Sequence, residues 1–162
     1  MVELDIQAIL QELVNGEVEY LLVGGVAVGY HGYVRATKDV DIVPAPDREN
    51  LERLAAVLRR LGAEVEGADD FDKGELPDPL EPDALELGGN WVLTTRLGRL
   101  DVMQWIGEWE LWSELAPAAI EEQIGGLPIK FVSYEDLVKL KELAGRPEDL
   151  MDLQRLREAR AD

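Results

Sequence analysis

The spacing of apolar side chains predicts helices near both ends and in the middle of the chain. In the first stretch, apolar residues recur at positions i, i+3, i+4 and i+7, on one face of a helix that Asp5 caps and Gly16 ends. The same spacing predicts a helix capped by Asp47 and shorter helical runs over Val26–Tyr30 and Glu110–Ala116.

Short apolar or alternating runs predict the strands. They are Tyr20–Val23, Lys38–Val43, Trp91–Thr95, Arg99–Trp105 and Ile129–Val132. Because strands and helices alternate along the chain, the pattern favours an α/β (α+β) fold. We expect a small mixed β-sheet with helices packed mainly on one face and further helices at the C-terminal end.

The length of the chain predicts a single domain over residues 1–162. Residues 67–90 are rich in acidic side chains and proline, so we predict an acidic loop there, for which disorder or solvation is the better expectation. Residues 133–162 predict a C-terminal helical pair. Ser133 caps the first helix of this pair, Gly145 ends it, and Pro147 lies in the first turn of the second.

Composition narrows the possible chemistry. The 162 residues include no cysteine and one histidine, which excludes disulfides, thiolate metal sites, a cysteine nucleophile and a multi-histidine zinc site. Neither serine, Ser113 or Ser133, lies in a Gly-x-Ser-x-Gly motif. Carboxylates, lysines and hard metal ions remain among the common catalytic groups.

The charge is strongly negative. The sequence has 34 acidic and 16 basic side chains, for a net charge of -18, so we expect no binding to duplex DNA. No run approaches the roughly 18–20 apolar residues of a membrane span, and the acidic start does not resemble a secretory signal. We therefore expect a cytoplasmic protein with no membrane partner.

Three aspartates form the most informative pattern. Asp39 and Asp41 lie two positions apart on a predicted strand, which places them on one face about 6.6 Å apart along the chain. Asp101 alternates with Leu100 and Val102 in the same way on a later strand. If the two strands share a core, the three carboxylates converge and suit a two-metal site. A solvated sheet face without an ion is the alternative.

A glycine pair follows the first predicted strand. At Gly24-Gly25 the missing side chains would let a phosphate approach the backbone at the start of a helix. Close packing of the helix on the strand is the alternative. The sequence lacks the P-loop pattern Gly-x-x-x-x-Gly-Lys-Ser/Thr, and its glycines do not match Gly-x-Gly-x-x-Gly.

Two cationic side chains are candidates for binding a phosphate. Arg35 suits a bidentate phosphate contact, with a salt bridge to Asp39 or Asp41 as the alternative. Helical phase places Lys141 on the inner face of its helix, where it needs an anionic partner. In the functional interpretation the partner is a triphosphate or the aspartates of the predicted site. In the structural interpretation it is Asp149 or Asp152.

Together, Gly24-Gly25, Arg35, Thr37, Asp39-x-Asp41 and the distal Asp101 resemble the nucleotidyltransferase superfamily of the DNA polymerase β type. The later stretches 133–137 and 141–153 resemble small prokaryotic nucleotidyltransferase-like proteins related to abortive-infection and toxin–antitoxin toxins. The resemblance covers roughly residues 18–155, except the acidic loop.

The resemblance implies metal-dependent transfer of a nucleoside monophosphate from an NTP to an acceptor hydroxyl, on an RNA end or a protein side chain. It also implies an antitoxin-like protein partner. Asp39, Asp41 and Asp101 would be catalytic and would bind Mg²⁺ or Mn²⁺. The residues assigned to the nucleotide are Gly24, Gly25, Arg35, Thr37 and Lys141.

The sequence departs from the family pattern at one position. The family usually has Gly-Ser where this chain has Gly24-Gly25. The alternative reading is therefore a catalytically degenerate nucleotide-binding or protein-interaction module of the same fold.

Overall fold

The computed structural model of the protein describes residues 2–66, 78 and 80–161. The helices are α1 (Ile6–Asn15), α2 (Gly24–Tyr30), α3 (Arg48–Arg60), α4 (Pro82–Glu86), α5 (Leu111–Leu115), α6 (Tyr134–Ala144) and α7 (Pro147–Ala161). The strands are β1 (Tyr20–Val23), β2 (Asp39–Pro44), β3 (Glu64–Val65), β4 (Asn90–Thr95), β5 (Gly98–Met103), β6 (Trp105–Ile106), β7 (Trp109–Glu110), β8 (Ile120–Ile124) and β9 (Leu127–Phe131). No helix within these ranges combines the length and the apolar character that a membrane crossing needs.

Seven of the strands form one sheet in the order β3-β4-β5-β2-β1-β9-β8, while β6 and β7 form a separate hairpin. At the centre, β2 runs antiparallel to β1 and parallel to β5, and β1 runs parallel to β9. This combination of directions confirms the predicted mixed sheet and the α/β class.

The central strands have one apolar and one polar face. In β5, buried and half-buried residues alternate strictly, with Leu100 and Val102 fully buried. The register aligns Val40 of β2 with Leu100, and Asp41 with Asp101. The apolar side chains of both strands therefore enter the core together, and their aspartates share the opposite face.

Capping side chains set the starts of three helices. The side chains of Asp5, Asp47 and Ser133 each accept a hydrogen bond from the backbone N–H three residues later. At the end of α6, Gly145 adopts a left-handed conformation with φ 60°, which closes the helix before Pro147 begins α7. Helix α6 contacts α2 and α7, and α2 contacts β1 and β2. The C-terminal helical pair therefore packs on α2, which in turn packs on the first strands.

The sequence patterns missed several short or exposed strands. Every residue of β8 is exposed at the sheet edge, so its sequence Ile-Glu-Glu-Gln-Ile carries no alternation of burial. The signal for this hairpin was the Gly125-Gly126 pair, whose two positive φ angles of 57° and 82° suit a two-residue turn. The predicted strand over Arg99–Trp105 instead ends at Met103, because Trp105 begins the β6–β7 hairpin.

The predicted acidic loop is partly helical. Residues 82–86 of the 67–90 segment form α4, which begins at Pro82 and buries Ala84 and Leu85. Pro82 occupies the first turn, where a missing N–H costs nothing. Residues 67–77 and 79 lie outside the described residues, so the prediction for that part of the loop stays a prediction.

Candidate active site

Three carboxylates meet where β2 and β5 run side by side. Asp39, Asp41 and Asp101 each offer an oxygen, and these oxygens lie within 4.8 Å of one another. The parallel register places Asp41 beside Asp101, and strand alternation puts Asp39 on the same face. We call this group the carboxylate triad. The alternation of apolar and acidic residues predicted this convergence, while its metal and catalytic roles stay predictions.

The environment of the triad opposes ionisation. Burial raises the pKa of Asp41 to about 8, and the neighbouring carboxylates of Asp39 and Asp101 add to the shift. Burial also raises the pKa of Asp101, although a hydrogen bond from Arg99 acts in the opposite direction. A cluster that resists ionisation in this way is stabilised by a proton or by a cation.

An arginine from the same sheet contacts the triad. Arg99 Nε and Nη2 donate to the two carboxylate oxygens of Asp101, each at 3.1 Å. Arg99 Nε also lies 3.6 Å from Asp39 Oδ2. The sequence analysis did not single out Arg99, although its position two residues before Asp101 on an alternating strand places both side chains on one face.

The glycine pair lies directly against the polar side chains of β2 and the loop before it. Gly24 has φ +68°, and a Cβ at this position would lie 1.9 Å from Asp41 Oδ2. A Cβ at Gly25 would lie 2.6 Å from Thr37 Oγ1. A side chain at either position would collide with these neighbours, so close packing requires glycine at both, as the packing alternative holds. Their contact with a phosphate stays a prediction.

Thr37 fixes the entry into β2. Its hydroxyl donates to the Asp39 carbonyl oxygen at 3.1 Å, two residues further along the chain. This hydroxyl also fills the space next to Gly25. Thr37 therefore ties the glycine pair to the first residue of the triad.

Lys141 is buried and paired within the chain. Its Nζ lies 3.2 Å from Asp149 Oδ1 and 3.0 Å from Asp152 Oδ2, and both carboxylates are almost completely buried. Helical phase correctly placed Lys141 on the inner face. Of the two partners considered from the sequence, the structure shows the pairing with Asp149 and Asp152.

Arg35 also pairs with α7. Its Nε and Nη2 donate to the two oxygens of Asp152 at 2.8 and 2.9 Å, and its Nη1 lies 3.2 Å from Glu148. The predicted alternative of a salt bridge to Asp39 or Asp41 is therefore wrong. The side chain leaves the loop before β2 in the direction of α7, a long-range contact that no local pattern shows.

A third cation joins the ion pairs that Lys141 and Arg35 form with α7. Arg146 donates to Asp149 through its backbone N–H and its guanidinium. We call Arg35, Lys141, Arg146, Asp149 and Asp152 the ion-pair cluster. Burial acts to raise the pKa of Asp149 and Asp152, but hydrogen bonds from these cations outweigh it and lower both pKa values.

The triad and four members of the ion-pair cluster line one cavity of about 400 Å³; these four are Arg35, Lys141, Arg146 and Asp149. The glycine pair and Thr37 lie on its wall as well. An apolar wall is formed by Trp91, Met103, Ile106, Leu137 and Leu140. The cavity thus combines clustered carboxylate oxygens, close backbone approach, cationic side chains and an apolar surface, which together suit a metal ion and an anionic ligand with an apolar part.

His31 lies outside this cavity. Its Nε2 is 2.7 Å from the Val132 carbonyl oxygen, which defines it as the donor, and its backbone ends α2. In this arrangement His31 connects the end of α2 to the chain just before α6.

Neither a known family model nor a curated protein matches the sequence. Solved structures do match the fold. The lincomycin-bound lincosamide antibiotic adenylyltransferase LnuA is 16% identical, with a TM-score of 0.63 over 96% of this chain and 98% of that one. The complex of ANT(2'')-Ia with adenylyl-2''-tobramycin is 18% identical, with a TM-score of 0.58 over 93% and 84% of the two chains.

A third similar structure is an antigenic nucleotidyltransferase-like protein from Paracoccidioides brasiliensis. It is 18% identical, with a TM-score of 0.53 over 93% of this chain and 72% of that one. At these identities the likeness concerns the fold. The chain therefore has a nucleotidyltransferase-like fold, as the sequence motifs indicated.

Proposed function

We propose that the protein transfers a nucleoside monophosphate from an NTP to an acceptor hydroxyl, with the help of a divalent metal ion. The observation that carries this proposal is the placement of the carboxylate triad, the glycine pair and cationic side chains around one cavity. The nucleotidyltransferase-like fold supports it, since the similar structures include the lincosamide antibiotic adenylyltransferase LnuA and a complex of ANT(2'')-Ia with adenylyl-2''-tobramycin.

The chemistry of the triad fits a hard divalent cation. Asp39, Asp41 and Asp101 supply carboxylate oxygens close enough to share an ion, and Mg²⁺ and Mn²⁺ prefer such ligands. These three residues would hold the metal. When bound, the ion supplies charge neutralisation for the phosphate oxygens and for the attacking oxygen.

The surrounding residues orient the nucleotide. In the proposed arrangement the triphosphate lies against the backbone of Gly24 and Gly25, and the cationic side chains of Arg35 and Lys141 face it from the ion-pair cluster. Asp149 and Asp152 hold Lys141 and Arg35 in fixed positions, so their N–H donors are already oriented before a nucleotide binds.

The transfer itself is a displacement at the α-phosphorus. The acceptor oxygen forms a bond to that phosphorus, and the bond to the bridging oxygen breaks, so that pyrophosphate leaves with the electron pair. The acceptor hydroxyl gives up its proton to a carboxylate. We assign this role to Asp101, which lies beside Asp41 in the parallel register of β2 and β5.

Several acceptor classes fit the proposal. An RNA end and a protein side chain are the classes predicted from the sequence resemblance. The bound molecules of the similar structures, lincomycin and adenylyl-2''-tobramycin, add a small-molecule hydroxyl to the candidates. The link to toxin–antitoxin toxins and an antitoxin-like partner stay predictions.

Calorimetric titration of each NTP with and without Mg²⁺ tests the proposal. We expect metal-dependent binding by the unmodified protein and its loss in Asp41→Asn, since this change removes a central oxygen ligand. Asp83→Asn is the matched control, because it removes the same charge from an exposed side chain that is 86% accessible. Equal NTP binding by Asp41→Asn, or no metal-dependent binding by the unmodified protein, would overturn the proposal.

A second candidate function is nucleotide binding without transfer. Two observations favour it: the glycine at position 25 and the contact of both Asp101 oxygens with Arg99. Incubation with α-labelled NTP and the three acceptor classes separates the two functions. Label transferred to an acceptor, with loss of transfer in Asp101→Asn, supports the enzyme; metal-dependent binding with no transfer supports the binding module.

A further inference from the structure

We infer that Arg99 is a resident counter-cation of the carboxylate triad, which a divalent ion displaces from Asp101 when it enters the site. This inference rests on the proposed function, because it concerns the loading of the same metal site. It assigns Arg99 a positioning role: the side chain holds Asp101 in place before the ion arrives.

The geometry shows why the two cations compete. The guanidinium of Arg99 uses both oxygens of Asp101, at 3.1 Å each, and lies 3.6 Å from Asp39 Oδ2. A metal ion bound by the triad needs an oxygen from the same carboxylates. Two cations facing the same small group of oxygens repel each other strongly in a partly buried site. The ion therefore enters most favourably when the guanidinium moves away.

The structure also provides a place for the displaced side chain. Arg99 Nη1 already lies 3.9 Å from Glu66 Oε2, a carboxylate outside the triad. The Arg99 side chain is 36% exposed and Glu66 is 54% exposed, so both have room to move. A shift of the guanidinium toward Glu66 would keep it paired while it releases Asp101.

In the absence of an ion, the contact has a stabilising effect. Three carboxylates within 4.8 Å of one another repel when ionised, and Arg99 offsets part of that repulsion. Removal of the Arg99 charge should therefore have two opposite consequences. The metal-free protein becomes less stable, and the metal ion binds more tightly because its competitor is gone.

Titration with Mn²⁺ alone, followed by electron paramagnetic resonance of the free ion, tests this directly. We compare the unmodified protein with Arg99→Gln and with Arg96→Gln. Arg96 is the matched control because it lies three residues away, is exposed, and donates to the Arg60 carbonyl oxygen. Both changes make the net charge more negative by one.

We expect Arg99→Gln to bind Mn²⁺ at least about tenfold more tightly, the order of effect for one charge removed near a partly buried ion. Arg96→Gln should stay within about twofold of the unmodified protein, as expected for a screened surface charge. Adding Asp41→Asn to each protein should abolish the binding, which locates the ion in the triad. In EDTA, the melting temperature of Arg99→Gln should be lower than that of the unmodified protein. Addition of Mn²⁺ should raise the melting temperature of Arg99→Gln by more than that of the unmodified protein.

The outcomes separate this inference from the proposed function. If the unmodified protein binds Mn²⁺ through Asp41 and Arg99→Gln binds it equally or more weakly, the inference is overturned and the proposed function stands. If neither protein binds Mn²⁺ in a manner sensitive to Asp41→Asn, both are overturned. Should Arg99→Gln fail to fold, Arg99→Lys retains the charge but lacks the bidentate geometry. Its Mn²⁺ affinity should then rise about two- to fivefold, and an unchanged affinity would overturn the inference.

Discussion

The carboxylate triad and the ion-pair cluster both bring aspartates together on the wall of one cavity, but their charges are balanced differently. In the triad, Arg99 pairs with two of the three carboxylates, Asp39 and Asp101. In the ion-pair cluster, two carboxylates receive hydrogen bonds from Arg35, Lys141 and Arg146. Burial together with like charges raises the pKa of Asp41, whereas the paired cations lower the pKa of Asp152.

This difference separates a group in which carboxylates outnumber cations from one in which the charges are matched. The aspartates of the ion-pair cluster are more deeply buried than those of the triad, yet their charges are matched within the chain. Burial of an acidic side chain therefore does not by itself indicate a ligand. The excess of negative charge at the triad does, because a cation from solution would relieve it.

The largest expected effect comes from breaking the ion-pair cluster. Asp152→Ala leaves Arg35 without its bidentate partner and Lys141 with one carboxylate, in a site where Asp152 is fully buried. We expect a loss of about 3–5 kcal/mol in the free energy of unfolding, as measured by urea denaturation. Glu148→Ala removes an exposed partner of Arg35 and should cost less than about 1 kcal/mol. Equal costs for both changes would contradict a structural role for the cluster.

A smaller effect tests the close approach of the backbone to the triad. Gly24→Ala introduces both a left-handed alanine and a contact of 1.9 Å with Asp41 Oδ2, and should cost about 2–3 kcal/mol. Gly62→Ala is the control, since Gly62 has a similar φ of +63° but open space around its Cβ. Its cost should be about 1 kcal/mol, from backbone strain alone. Similar losses in chemical denaturation would show that the triad does not constrain position 24.

The smallest effect is a pH dependence of opposite sign in the two groups. Because the pKa of Asp41 is raised to about 8 on folding, its contribution to stability is present below the unfolded pKa and is lost as the pH rises through 8. Asp41→Asn should therefore stabilise the metal-free protein at pH 8 and have little effect at pH 4.

The lowered pKa of Asp152 predicts the reverse. Asp152 contributes to the stability of the protein at a pH above its pKa in the unfolded chain. This contribution is lost as the pH falls through its lower pKa in the folded protein. Asp152→Asn should therefore destabilise the protein at neutral pH, with a penalty that shrinks in strong acid. Urea denaturation in EDTA across this pH range measures both variants, and curves of the same sign would refute the comparison.

Much of the candidate site was predictable from strand alternation. The spacing of Asp39, Asp41 and Asp101 between buried apolar residues placed them on one face, because a strand alternates its side chains with period two. The same rule applied to Arg99 would have found the triad's counter-cation. Helical phase likewise predicted that Lys141 is buried, since a helix repeats every 3.6 residues.

The remaining features depend on contacts between distant parts of the chain. The partner of Arg35 lies 117 residues away on α7, and no local pattern gives the direction of its side chain. Strand β8 was missed for a different reason, because both of its faces are exposed and burial leaves no periodic signal there. The short helix α4 was missed because it buries only two residues, too few to give a helical pattern within an acidic segment.

The pairing of Asp41 with Asp101 also has a consequence for folding. These residues are separated by 60 positions, and their strands are parallel, so the chain must complete a long crossover before they meet. Such non-local pairing carries a loop-closure cost that local contacts do not. An unfolded chain keeps Asp39 next to Asp41 but lacks the third carboxylate. If the triad binds an ion as proposed, high-affinity binding would report that β5 has docked beside β2.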